Sequence, residues 1–228
     1  MDAAKVELLR ALGRLVRGLS TLFWGLPVTL LIDLETARTD WLGFLGDAAF
    51  VPAVLGGAAL YYGLRQMRYF QKQERIWHQA LNRAEIFAII NAGLAPFLFW
   101  WHRFPAIPFY VVCVVALAFS ILLLLMQINQ VLRRLCAMLP DEGLRVETKM
   151  FTTFNIALFL AVFIGLAVGL GLAQAHLLPR AIGRMITGDN PRGLWLILFT
   201  GLMPLAMTLA ILWKIKEVIF MSIFAAEP

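Results

Sequence analysis

The 228-residue chain is 61% hydrophobic and carries a net charge of +6. Its polar stretches between apolar runs are about 20 residues or shorter, and none of them is long enough to bury a soluble core. The composition therefore predicts one membrane domain, excludes a globular appendage, and gives no reason to expect a nucleic-acid partner.

The first 17 residues predict a basic amphipathic helix. Apolar side chains recur there at helical spacing, and arginines occupy the other face. Such a helix is suited to lie on an anionic leaflet before the chain enters the bilayer. We therefore divide the chain into a surface helix over 1–17 and a single transmembrane domain over 18–228.

Six apolar runs follow in chain order. A helix needs about 20 apolar residues to cross roughly 30 Å of hydrocarbon. Three runs reach that length and three are shorter, so six spans is the favoured count and four spans with re-entrant segments is the alternative. The long runs are Phe104–Leu132, Met150–Pro179 and Gly193–Trp213, and the short ones are Gly18–Ile32, Ala48–Leu64 and Ile86–Trp101.

The distribution of Lys and Arg predicts the orientation of these spans. With six spans and a cytosolic N-terminus, fifteen of the twenty basic residues fall in cytosolic segments. Cytosolic loops of membrane proteins carry such an excess. The predicted fold is an all-α polytopic bundle in the cell (inner) membrane, with both termini cytosolic.

A weak internal similarity accompanies this pattern. The segment 87–94, FAIINAGL, resembles 151–158, FTTFNIAL, and both open a span from the cytosolic side. Three helical hairpins would explain the spacing, and chance similarity between apolar helices is the alternative.

Few polar residues lie within the spans. Asn91 and Asn155 could line a solute pathway or form hydrogen bonds between helices, and the second interpretation is favoured. Ionisable residues sit only at predicted span ends, where we interpret them as boundary anchors. They are Asp33, Asp47, Glu85 and Lys214.

Prolines and glycines predict local features of the spans. Pro27, Pro96 and Pro204 each follow a Gly-Leu string and should kink a helix. Gly165 and Gly169 form a small-xxx-small pair that lets another helix approach closely, from the same chain or from a second copy.

Two charge patterns suggest contacts outside the hydrocarbon. The first outer loop is acidic and the last is basic, so we expect these loops to approach each other or to pair with a partner. On the cytosolic side, six basic residues are predicted to contact anionic lipid headgroups. They are Arg10, Arg14, Arg17, Arg65, Arg133 and Lys214.

No catalytic motif, metal-ligand spacing or cofactor-binding string is present in the sequence. The leading hypothesis is a membrane-embedded interaction or assembly subunit that associates with itself or with other membrane subunits. A channel or facilitator for a small solute or ion, lined by Pro-kinked helices, is the alternative. A lipid-acting enzyme is a weaker third hypothesis, since it requires a pocket gathering Arg65, Arg133 and Lys214 with an acidic group.

Overall fold

A computed structural model describes residues 3–71, 73–138, 142–174 and 191–224. All regular elements within these residues are helical. A short 3-10 helix, Gly43–Ala48, joins the first two α-helices. The α-helices are α1 (Ala3–Arg38), α2 (Val51–Met67), α3 (Arg75–Leu94), α4 (Pro96–Arg103), α5 (Pro108–Met138), α6 (Glu142–Gln174) and α7 (Pro191–Phe224).

Helix α1 combines the basic N-terminal segment and the first apolar run. It continues without interruption from Ala3 to Arg38, about 54 Å at the usual rise per residue. The proposed surface helix and the first apolar run are therefore parts of one helix, with no helix end at residue 17. The reason is a continuous buried stripe on one face, since Leu15, Leu19, Leu22 and Leu26 are all buried.

Helices α1 and α2 pack closely through small residues. A Cβ atom placed on Gly18 would lie 2.7 Å from the carbonyl oxygen of Gly63, and one on Gly56 would lie 2.8 Å from Thr29 Oγ1. On the adjacent side of α2, a Cβ on Gly57 would lie 2.8 Å from the Cα of Ala92 in α3. Glycine is required wherever backbones approach to this degree.

The third apolar run is divided into two helices. Helix α3 ends at Leu94 and α4 begins at Pro96, which has no N–H to donate to the carbonyl of Ala92. After a short connection, α5 returns beside them, and the ring of Phe97 lies 5.7 Å from that of Phe109. Helices α3–α4 and α5 are thus antiparallel.

The bundle closes through α7. Each helix packs against its neighbours in the order α1, α2, α3, α5, α6, α7, and α7 also contacts α1 and α5. The rings of Phe23 in α1 and Trp213 in α7 lie 5.7 Å apart. One buried cluster runs through these helices, with Trp77, Ile128, Leu132 and Ile215 at 0% exposure.

Three helical segments among the described residues are long and apolar enough to cross a membrane. They are Leu9–Arg38, Arg75–Arg103 and Pro108–Met138. The last contains the predicted stretch Phe104–Leu132 from Pro108 onward. The other two contain the short runs Gly18–Ile32 and Ile86–Trp101, which their neighbouring residues extend to spanning length. The predicted stretch 150–179 ends among residues outside the described ranges.

Candidate functional site: a buried polar network

A cluster of polar side chains joins α5, α6 and α7 inside the bundle. Asn129, Asn155 and Thr208 come from three different helices, and all three are at 0% exposure. The amide of Asn129 donates to Thr208 Oγ1 at 2.8 Å and to the carbonyl of Leu125 at 2.9 Å. The hydroxyl of Thr208 in turn donates to the carbonyl of Pro204 at 2.8 Å.

Asn155 completes this network from α6. Its amide nitrogen lies 3.3 Å from each of three acceptors, namely Asn129 Oδ1, Thr208 Oγ1 and the carbonyl oxygen of Pro204. Two N–H groups cannot satisfy three acceptors at once, and Asn155 Oδ1 has no partner among the described residues. The geometry is that of an interhelical clamp with one spare acceptor.

Replacing Asn155 by alanine is expected to lower the free energy of unfolding by about 1 kcal/mol, because interhelical hydrogen bonds inside membranes average less than that and a small cavity adds to the loss. Thr153→Ala is the matched control, since Thr153 is exposed on the same helix and donates only to the carbonyl of Lys149. Thermal unfolding in detergent compares the two. Equal stability of both variants would contradict the clamp.

Asn91 lies elsewhere in the bundle. It is 7% exposed, and neither its Oδ1 nor its Nδ2 has a hydrogen-bond partner among the described residues. Helices α3–α4 and α5 are antiparallel, so residues equally far from their connection lie at the same depth, and Asn91 is level with Ser120 of α5. Asn155 contacts Asn129, which lies nine residues further along α5. That separation is roughly 13 Å along the helix axis. The structure therefore does not bring Asn91 and Asn155 into one site.

The predicted kink prolines have different local roles. Pro96 divides two helices, whereas Pro27 and Pro204 lie inside the continuous helices α1 and α7. The Pro204 carbonyl is an acceptor in the polar network. Only this proline contributes directly to the site.

Helix α6 exposes a row of small residues on the outside of the bundle. Ala157, Ala161 and Gly165 recur every four residues and are all exposed. A Cβ placed on Gly165 would meet no heavy atom within 4 Å. The side chain of Gly169 lies outside the described set. Within the described residues no other helix lies against this row at Gly165, and contact with a second copy or another protein stays a prediction.

The small-residue contact that the structure does contain lies between α1 and α2. The sequence analysis missed it, although Gly18, Thr21, Gly25 and Thr29 recur every three or four residues. This spacing is the same signal as at Gly165 and Gly169.

The basic residues predicted to contact lipid gather at one end of the bundle. The Arg14 guanidinium lies 4.1 Å from the centre of the Tyr69 ring, so the start of α1 lies beside the segment after α2. Thr148 near the start of α6 donates to Cys136 near the end of α5, so these two helix ends also meet. Within this end, Arg65 donates to the Tyr61 hydroxyl and Lys214 pairs with Glu147. Arg10, Arg17, Arg65, Arg133 and Lys214 are exposed there.

Two acidic residues interpreted as boundary anchors form ion pairs. Glu85 is 6% exposed and lies 3.4 Å from the Arg68 guanidinium, which also donates to Asn82. Asp47 pairs with Arg103 at 3.0 Å. Asp47 of the acidic first loop therefore binds a basic residue of the second outer connection. Arg180 and Arg184 of the basic loop lie outside the described residues.

These features define a class: an all-helical protein with helices suited to a membrane and a closed polar network in its interior. No group of three or more His, Cys, Asp or Glu side chains that could hold a metal occurs in the described part of the chain. Comparisons with known protein families, curated proteins and solved structures found no match for this chain.

Proposed function

We propose that the protein is a multi-pass membrane subunit without catalytic activity, which associates through the exposed face of α6 with a second copy or with other membrane subunits. The observation that carries this proposal is the row formed by Ala157, Ala161 and Gly165. Small residues at a spacing of four let two helix backbones approach closely within a bilayer.

The flanks of this row favour the same conclusion. Phe154, Leu160, Ile164 and Val168 are each at least half exposed and lie to either side of it. Large apolar side chains beside a small-residue groove offer a second helix ridges to pack between. Among the described elements, helix α6 packs mainly against α5 and α7, which leaves this face available to a partner.

The interior gives less support to the alternative of a channel or facilitator. Asn155 is held among acceptors from α5 and α7, and Asn91 lies at another depth on a helix beyond α5. A solute pathway through both asparagines would have to pass the tightly packed core around Ile128 and Leu124. Interhelical hydrogen bonding accounts for Asn155 without such a pathway.

The proposed topology has six spans with both termini in the cytosol. Its support is that six helical units follow one another, α1, α2, α3–α4, α5, α6 and α7, and that fifteen of the twenty basic residues fall in the segments predicted to be cytosolic. On this topology the N-terminal half of α1 and the arginines at that end contact anionic headgroups of the inner membrane. A lipid-acting enzyme has less support, because Arg65 donates to the Tyr61 hydroxyl and not to the Lys214–Glu147 pair, so the described contacts do not gather the three basic residues.

Photo-crosslinking from α6 tests the proposed interface. A diazirine side chain at Ala161 should give one discrete adduct in membranes, either a dimer of the chain or a complex with one protein. The same group at Leu55 of α2, which is 61% exposed, should give lipid adducts only. Gly165→Leu should remove the Ala161 adduct at unchanged expression, because the new side chain fills the groove.

Two results of the crosslinking experiment would contradict the proposed interface. Equal adducts from Ala161 and Leu55, or an Ala161 adduct that survives Gly165→Leu, would contradict α6 as the interface. Solute uptake by vesicles containing the purified chain, lost in Asn155→Ala, would favour the channel instead.

A further inference from the structure

Asp33 is a buried acid that forms no ion pair with the described residues. It is 8% exposed, and its Oδ1 has no hydrogen-bond partner in the described part of the chain. Two described arginines on the same side of the bundle do not pair with it. Arg38 is exposed at the helix end, and Arg103 pairs with Asp47 and lies over the Phe99 ring.

Two threonines share the buried face of α1 with Asp33. Thr29 lies one turn before it and Thr36 one turn after it, at 9% and 4% exposure. Residues three and four apart are neighbours on a helix surface. Thr36 Oγ1 also lacks a partner among the described residues. Two buried oxygens without a partner among the described residues, one of a carboxylate and one of a hydroxyl, therefore come from positions one turn apart on the same helix face.

The opposing helix presents small side chains to this end of α1. Gly25 meets Leu60 and Thr29 meets Gly56 across the α1–α2 contact. Continuing this antiparallel register places the first turn of α2, with Pro52 and the buried Ala53, opposite Asp33. Helix α4, which begins at Pro96, also packs against α1.

An unpaired carboxylate is costly in such surroundings, because burial removes its hydration without supplying a compensating charge. Leucines occupy the earlier positions of this buried face of α1, whereas Thr29, Asp33 and Thr36 occupy the later ones. A bound cation would remove the cost. Broken helices in membrane proteins commonly place such sites beside them.

We propose that Asp33, together with Thr36 and Thr29, binds one monovalent metal cation between α1, α2 and α4. Carboxylate and hydroxyl oxygens are hard ligands suited to an alkali cation. The single carboxylate selects the charge, since a monovalent ion leaves the buried site neutral and a divalent ion leaves it positive. This site is independent of the α6 interface.

The test is the thermal stability of the purified full-length chain in detergent, in NaCl, LiCl or KCl and in choline chloride at equal concentration. A cation that binds only the folded state should raise the unfolding temperature by about 3–6 °C over choline when present at roughly tenfold its dissociation constant. Choline is too large for the site and holds the ionic strength constant.

Variants assign the effect to the site. Asp33→Asn keeps the shape, removes the buried charge and should abolish the difference between the alkali salts and choline. Glu35→Gln, which neutralises an exposed acid two residues away, should keep the full difference. Thr36→Val retains Asp33 and should shift the cation dependence to roughly tenfold higher concentration.

Three results would overturn the proposal. One is an unfolding temperature of the unmodified chain that is the same in every salt. Another is a full alkali effect in Asp33→Asn. The third is stabilisation by lowered pH with no alkali effect, which would make the occupant a proton. Should Asp33→Asn fail to fold, Thr36→Val decides between these outcomes.

Discussion

Replacing Trp77 by alanine is expected to lower the free energy of unfolding by about 3 kcal/mol or more, which is the range for deleting a fully buried tryptophan. Trp77 is at 0% exposure in the main buried cluster, and its ring lies 6.3 Å from that of Phe70 in an edge-to-face arrangement. Both elements at this end of the bundle, the start of α3 and the turn after α2, depend on that contact.

Ile76→Ala is the matched control for this prediction, because Ile76 precedes Trp77 in α3 and is 50% exposed. The measurement is the temperature at which a thiol-reactive dye labels Cys136, which is 1% exposed in the same cluster, in a Cys113→Ala background. Labelling of the two variants at the same temperature would show that the cluster does not depend on Trp77.

Gly57→Ala is expected to destabilise the fold by about 2 kcal/mol, since overpacking a tight contact costs about 1–3 kcal/mol. The new Cβ would lie 2.8 Å from both the Cα and the Cβ of Ala92. Backbone atoms cannot move aside as the end of a flexible side chain can. Helices α2 and α3 would have to separate.

Gly93→Ala provides the comparison for Gly57→Ala. Gly93 is one residue from Ala92, and a Cβ there would meet no heavy atom within 4 Å. Alanine favours the helix over glycine by up to about 1 kcal/mol, so this variant should be as stable as the unmodified chain or more so. The same dye-labelling measurement applies, and equal losses in both variants would contradict the close contact at Gly57.

Much of the helical architecture follows from the sequence. The length and apolarity of 104–132 predict the body of α5, and Pro96 predicts the break between α3 and α4, because a missing N–H and a ring clash act locally. The N-terminal amphipathic helix is also local. Its continuation into the first span was not predicted, because helix ends depend on tertiary packing of the Leu15–Leu26 face.

The candidate site depends on contacts that a sequence does not contain. Asn155 stands out as a polar residue in an apolar run, but its acceptors come from Asn129, Thr208 and Pro204, which are 26 to 53 residues away. Asp33 lies five residues from the end of α1, where a carboxylate would ordinarily reach water. It is nevertheless buried, in a helix against which α2 and α4 pack.

The contact between α1 and α2 has a practical consequence for handling the protein. Helix α2 has 17 residues and is about 25 Å long, and its three glycines lie against backbone or threonine atoms of neighbouring helices. Without α1 and α3, helix α2 would expose these glycine surfaces, and its glycines would lower its intrinsic preference for the helix. Shortened versions that begin after residue 38 would therefore leave an unsupported segment at their new start. Residues 15–67 are best kept together as one insertion and folding unit.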